Sequence, residues 1–330
     1  MRAERFWLAV GAAALCCGLV ALAAPLVGSA RVDFARAFAG LSPDREILFY
    51  ARLPRVLLAL LAGGVLAVTG VVFQSVLRDP LAEPYTLGVS SGAAVGAVLA
   101  ICLGWSGWGG YSAVGLAAAA GAAAALLLVL ALGFEGRRLS SFTLLLAGVT
   151  VNSMCLAAIL LLHSLATFSQ SFAITRWLMG GLDAIGYVPL AALASLALPA
   201  AALLFWRARD WNLLAFGEEW AATRGVSARR LTILGYVAGS LLTGAITSLT
   251  GPIGFVGLIV PHAVRLAAGG DHRLLLPCSF FAGAAFLAIC DTVARTVLAP
   301  AEIPVGVVTA LVGGPVFILL LRSRRRSLWL

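Results

Sequence analysis

Residues 53–76 read LPRVLLALLAGGVLAVTGVVFQSV, and this stretch decides what kind of protein the chain can be. It carries a single charge, Arg55. At about 1.5 Å of rise per residue, a helix of this length crosses a hydrocarbon layer of about 30 Å. Further apolar runs flank it at 6–28, 86–104, 111–133, 141–164, 186–206, 231–250, 254–267, 274–298 and 305–321. The run at 254–267 is short and contains Pro261. About ten crossings follow, which put both termini on the same side of a membrane.

Composition agrees. Of 330 residues, 62% are hydrophobic and only 11% charged, where soluble domains carry about a quarter charged residues. No stretch of useful size is left for a soluble domain, so residues 1–330 read as one transmembrane domain of all-α, polytopic class. The chain contains no lysine, so all 23 basic residues behind the +9 net charge are arginines. That excludes a Walker A phosphate loop, a Schiff base and a lysine general base. The arginines sit singly or in pairs between apolar runs, the pattern of a membrane protein and not of a basic face for nucleic acid. The six cysteines fall in or beside apolar stretches without CxxC spacing and read as small hydrophobes. Arg2 and Arg5 before an apolar run to Val27 imitate a signal peptide. The run exceeds the roughly 7–15 residues of such a core and is expected to be a retained first helix.

With the N-terminus inside, sixteen arginines lie on the inner side, among them Arg207, Arg209, Arg229, Arg230 and the C-terminal group Arg322 to Arg326. The outer side keeps Arg31, Arg36, Arg45, Arg52, Arg55, Arg176 and Arg295. The bias supports cytoplasmic termini, yet five of the outer arginines crowd the first loop and the start of the second helix. Gly92 and Gly96 form a GxxxG, which reads as close helix packing. Two stretches break the helical pattern, Asp79 to Pro84 and Gly251-Pro252 through Pro261-His262, and irregular backbone at membrane depth needs burial in protein or a water-lined cavity. A short echo, Ala82-Glu83-Pro84 with Gly88-Val89 against Ala301-Glu302 with Pro304 and Gly306-Val307, fits an inverted repeat or chance. The segment from about 207 to 230 reads as a short amphipathic helix between glycines, to lie in the lipid interface or to dock a soluble partner.

Several motifs resemble one family: Arg52-Leu-Pro-Arg55; Gln74 with Arg78-Asp-Pro-Leu-Ala-Glu-Pro84 and Leu87-Gly-Val-Ser-Ser-Gly-Ala93; Leu144-Leu-Leu-Ala-Gly148; Trp177-Leu-Met-Gly-Gly181. The longest match is Gly251-Pro-Ile-Gly-Phe-Val-Gly-Leu-Ile-Val-Pro-His262, continued by Arg265, Asp271-His-Arg273, Leu276-Pro277, Asp291, Arg295, Ala301 to Ala310 and Gly314 to Phe317. Collinear from Arg52 to the C-terminus, these resemble the FecCD/BtuC family of ABC importer permeases.

The resemblance implies a type II ABC importer permease fold and a homodimer in the bacterial inner membrane. It implies two separate ATP-binding cassette subunits that hold ATP and Mg, with no cofactor or ATPase site on this chain. A periplasmic or lipid-anchored binding protein would deliver an iron chelate (siderophore or haem) or cobalamin. Gly217, Glu218, Glu219, Ala221, Arg224 and Gly225 then match the coupling segment that meets the ATPase, a solvated charged turn being the plainer alternative. Arg52, Arg55 and Arg295 match arginines that meet acidic lobes of the binding protein. The competing reading pairs Arg295 with Asp291 one helical turn away, Asp291 being structural. The helix from Ser140 and Ser141 through Asn152 and Ser153 matches the one that lines the path and closes its gate, and Phe142 departs from the family's small hydroxyl residues there. His262 and His272 have no cysteine or carboxylate cluster at ligand spacing, so no metal site is expected. The other class of function, an ion-gradient-driven secondary transporter, wants deep charges on the path, and Asp291 is nearly the only candidate.

Overall fold

The computed structural model describes residues 3–30, 32–85, 87–105, 112–135, 138–183 and 185–325. Arg2, Arg31, Arg137 and Arg326, which enter the charge bias, lie outside the described residues. In chain order the helices are α1 (Ala3–Ala23), α2 (Phe34–Phe38), α3 (Asp44–Glu46), α4 (Leu53–Val76), α5 (Val89–Cys102), α6 (Ala113–Leu132), α7 (Ser141–Leu165), α8 (Phe168–Leu178), α9 (Tyr187–Trp206), α10 (Ala208–Phe216), α11 (Glu218–Thr223), α12 (Ala228–Thr250), α13 (Val256–Ala268), α14 (His272–Ala294) and α15 (Val305–Arg325). Between α6 and α7, Phe134 faces Leu139 and Glu135 faces Arg138 in a two-residue antiparallel ladder.

Among the described residues, seven helical stretches are long and apolar enough to cross a membrane, and three shorter apolar helices, Val89–Cys102, Val256–Ala268 and Val305–Leu319, accompany them. Each falls on one of the apolar runs. The differences lie at the ends. The run at 53–76 extends upstream, because a π-helical turn (Ile47–Arg52) joins α3 to α4 without a break. Gly88 and Phe255 both have positive φ, +81° and +70°, and this delays α5 and α13 past the starts of their apolar runs. Helix α8 was not expected from hydropathy. Its signal is a capping box in which Gln170 Oε1 accepts the Thr167 amide at 2.9 Å.

Helix α4 is the axis of the molecule, its residues from Ala62 to Val76 buried throughout. It packs against α14, α12, α13 and α9. The α4–α14 crossing is set by Gly63 and Gly283, each so close to the other's carbonyl that a Cβ would collide with it. Gly92 and Gly96 sit in the same way against Gly121 and Ala117 of α6, so the GxxxG is a packing motif, as its pattern predicts. Without a hydrophobic force between helices in lipid, this close backbone approach is what holds them. Helix α1 lies against α14 with Trp7, Leu8, Leu15, Leu19 and Leu22 exposed, the profile of a lipid-facing helix.

The two broken stretches meet each other. Glu83 Oε1 accepts the Phe255 amide at 2.8 Å, placing a carboxylate at the start of α13. Non-helical backbone is therefore satisfied by protein, as a low-dielectric surrounding requires. All six cysteines are free; Cys278 and Cys290 are buried as expected, whereas Cys16 is exposed on α1.

Candidate functional site

The sequence candidates separate to the two ends of the bundle. At one end, the first turn of α4, the last turn of α14 and the chain before α15 bring four charges together. Arg55 Nε donates to Asp291 Oδ1 at 2.9 Å, and its Nη1 donates to Glu302 Oε2 at 2.7 Å. On the far oxygen of Asp291, Arg295 Nε lies at 3.3 Å. Asp291 is fully buried, so two guanidinium groups are what make its charge tolerable there. The Asp291–Arg295 pair was expected from spacing; Arg55 and Glu302, from remote parts of the chain, were not expected to join it.

Arg52 and Arg295 depart from the expectation of a displayed docking charge. Both residues are buried. Arg52 donates to the carbonyls of Pro25 (3.1 Å) and Ala30, and Arg295 donates to the Ala24 carbonyl at 2.6 Å. The reason is the unpaired carbonyls at the end of α1: a helix C-terminus attracts cations, and these two arginines cap it. Arg55 remains at the edge of an open cavity of about 1030 Å³, whose wall includes Trp177, Asp183, Thr250, Glu302 and Pro304.

At the opposite end, α10 and α11 form a bent pair. Gly217 (φ +134°) and Gly225 (φ +77°) bound α11 in conformations that side chains rarely adopt. Trp211 and Leu214 bury α10 against the bundle. Glu218 accepts from Arg78 Nη2 at 2.6 Å, tying α11 to the end of α4. Glu219 is exposed, and the Arg224 guanidinium lies 5.5 Å above the Trp220 ring. Ala221 is fully buried, so it is not available to a partner: on α11 it faces the bundle and not solvent. Sequence reasoning passed over Phe216 and Trp220, which are exposed at 81% and 52% and are the large apolar side chains this pair presents.

A hydrogen-bond chain fastens α10 to the core. Asn212 Oδ1 accepts from the His272 amide at 2.9 Å and lies 2.7 Å from His272 Nδ1. Since an amide oxygen only accepts, Nδ1 carries the proton. Nε2 lies 2.6 Å from the Ser75 hydroxyl. Asn212 Nδ2 donates to Asp271 Oδ1 at 2.9 Å. Arg273, with Asn212 adding a donor, holds the Asp271 carboxyl below the usual carboxylate range. His272 thus links α4, α10 and α14, and His262 is buried within α13.

The gate candidates lie along α7. Ser140 caps the helix by accepting the Thr143 amide at 3.2 Å, and Ser141 Oγ donates to the Val76 carbonyl at 2.8 Å. Phe142 is 74% exposed. Asn152 is half-buried, and Ser153 is exposed with its hydroxyl returned to the Val149 carbonyl at 3.0 Å. The open face of α7 also shows the large apolar side chains of Leu146, Val149 and Met154.

Comparison with known proteins identifies the family. The sequence profile of the FecCD transport family matches residues 14–323. The hemin transport system permease protein HmuU of Yersinia pestis is 40% identical over 280 residues, covering 83% of each chain. The vitamin B12 import system permease protein BtuC of Klebsiella pneumoniae is 42% identical over 287 residues, 85% of this chain and 84% of that one. A solved structure described as an inward-facing conformation of a metal-chelate type ABC transporter superposes with a TM-score of 0.84 at 30% identity, covering 95% of this chain and 98% of that one.

Proposed function

The chain belongs to the FecCD transport family and is an ABC importer permease, and from that premise we propose that it moves an iron chelate (a siderophore complex or haem) or cobalamin across the bacterial inner membrane. It acts as a homodimer of single transmembrane permease domains over 1–330, each with about ten crossings and cytoplasmic termini. Two ATP-binding cassette subunits supply ATP and Mg, and a binding protein delivers the substrate. The haem and vitamin B12 permeases among its relatives support the substrate class. An ion-gradient-driven mechanism is not favoured, since these relatives are ABC permeases and the buried Asp291 is held by two arginines.

The observation that carries the reading is the division of labour between the two ends. The α10–α11 pair offers Phe216, Glu219, Trp220 and Arg224 to a soluble partner and is tied to α4 through Arg78–Glu218 and to α14 through Asn212–His272. Gly217 and Gly225 set its bend, and Ala221 seats it. At the other end, α4 and α14 terminate at the Arg55–Asp291–Glu302 cluster beside the open cavity. Motion imposed on α11 reaches that cluster along the same two helices. Binding is spent on shifting a conformational equilibrium, so nucleotide on the partner acts through its different affinity for the two states. Arg55, released from Glu302 by an acidic lobe, serves docking, while Arg52 and Arg295 keep the end of α1 in register. The α7 face from Ser140 to Ser153, including Phe142, lines the path at the two-fold.

The test is reconstitution in vesicles with the ATPase subunits and binding protein, comparing uptake of haem, ferric siderophores and cobalamin. ATP-dependent uptake of one class is expected, with no hydrolysis by the permease alone. Glu219→Ala should impair uptake without changing assembly of the bundle. Hydrolysis that persists without partner subunits, or uptake driven by an ion gradient alone, would refute the reading.

A further inference from the structure

A groove of about 650 Å³ opens at the α10–α11 end, between the N-terminal part of α1, the last turn of α9 and the first turns of α10 and α14. Its wall is aromatic (Phe6, Trp7, Phe205 and Trp206) and its polar edge is Arg209 and Arg273, with Ala208 at the start of α10. Trp7 and Trp206 are 71% and 79% exposed. Tryptophans at the ends of apolar helices mark headgroup depth, where one edge of the ring meets lipid chains and the other meets water.

Among the described side chains, the charges in this groove do not cancel. Arg273 shares its guanidinium with Asp271 at 2.7 Å, and the neighbouring Arg207 is taken by Asp210. No carboxylate among the described residues pairs with the exposed Arg209. Among the described side chains, the groove therefore presents one unpaired arginine beside an aromatic wall, at the level where a bilayer places its phosphates. Small anions would leave the wall bare. A zwitterionic lipid brings its own cation and leaves Arg209 without a counter-charge.

We propose that this groove binds one anionic phospholipid, its phosphate at Arg209 and Arg273 and an acyl chain along Trp7, Phe205 and Trp206. The lipid joins α1, which has little protein around it, to α9 and α14 beside the coupling segment.

The test uses the full chain in phosphatidylcholine nanodiscs with phosphatidylglycerol titrated in. Native mass spectrometry reads the retained lipid, and dibrominated-chain phosphatidylglycerol reports proximity by quenching tryptophan fluorescence. The expected preference for phosphatidylglycerol is about fivefold, which RT converts to about 1 kcal/mol for one arginine near a membrane surface. Arg209→Gln should bring it close to parity, Arg209→Lys should retain most of it, and Arg36→Gln at the opposite end should not change it. Equal retention of the two lipids, or a preference that survives Arg209→Gln, overturns the proposal. Displacement by millimolar inorganic phosphate also overturns it, because the groove would then be a phosphate site. Lipid retention is read without transport, so failure here is distinct from failure of the transport reading.

Discussion

Two carboxylates illustrate how this chain handles charge at single residues. Asp291 is fully buried with Arg55 and Arg295 on its two oxygens. Removing one member of such a cluster leaves the others desolvated and uncompensated, a loss of about 3–5 kcal/mol. Asp291→Asn should therefore lower the thermal unfolding midpoint of the purified permease clearly, and a midpoint equal to wild type would contradict the geometry. Asp271 differs, since it stands at the protein surface before α14. Its carboxyl is held low by Arg273 and Asn212, so its stabilisation is present above the ordinary carboxylate value of about 3.9 and is lost as pH falls through the depressed value. Asp271→Asn keeps an N-cap for α14 but loses the charge. The variant should melt below wild type at pH 7, and the gap should begin to narrow as pH falls below about 4. A gap independent of pH would mean that the charge contributes nothing. Spacing alone exposed the Asp291–Arg295 pair; Arg55 and Glu302 escaped it because their partners lie hundreds of residues away.

At the scale of the elements, helix contact here depends on the absence of side chains. Gly63 meets the Gly283 carbonyl across the α4–α14 crossing, whereas Gly11 on α1 has nothing near where a Cβ would stand. Gly63→Ala should force the two central helices apart and lower the unfolding midpoint. Gly11→Ala should leave it unchanged or raise it slightly, because alanine is favoured over glycine in a helix by about 1 kcal/mol. Thermal melts of both variants in one detergent test the contrast; equal effects would remove the close-approach account. Hydropathy located the long helices because length and apolarity suffice for that. It overlooked α8, whose start is signalled by Thr167 and Gln170, and it could not see which face of α11 turns inward at Ala221.

For the molecule as a whole, the open apolar face of α7, with Phe142, Leu146, Val149 and Met154, has no cover among the described residues of one chain. In the homodimer reading this face lies along the two-fold, so cysteines introduced at Ser153 in a background without the six native cysteines should cross-link two copies in membranes. Only monomer under oxidising conditions, across cysteines placed along this face, would count against that arrangement. The sequence by itself determined that the chain lives in a membrane, roughly where its long apolar helices run, that it lacks a lysine-based phosphate site, and to which family its motifs belong. These follow from composition, run length and collinear motifs, all properties of the chain read along its length. Only the tertiary structure decided that Arg52 and Arg295 cap the end of α1, that Arg55 bridges Asp291 and Glu302, and that Asn212, His272 and Ser75 tie α10 to the core. The physical reason is that a buried charge or hydrogen-bonding group takes whichever partner the fold brings within about 3 Å. Which partner that is depends on helix crossings set by glycines far from it in sequence.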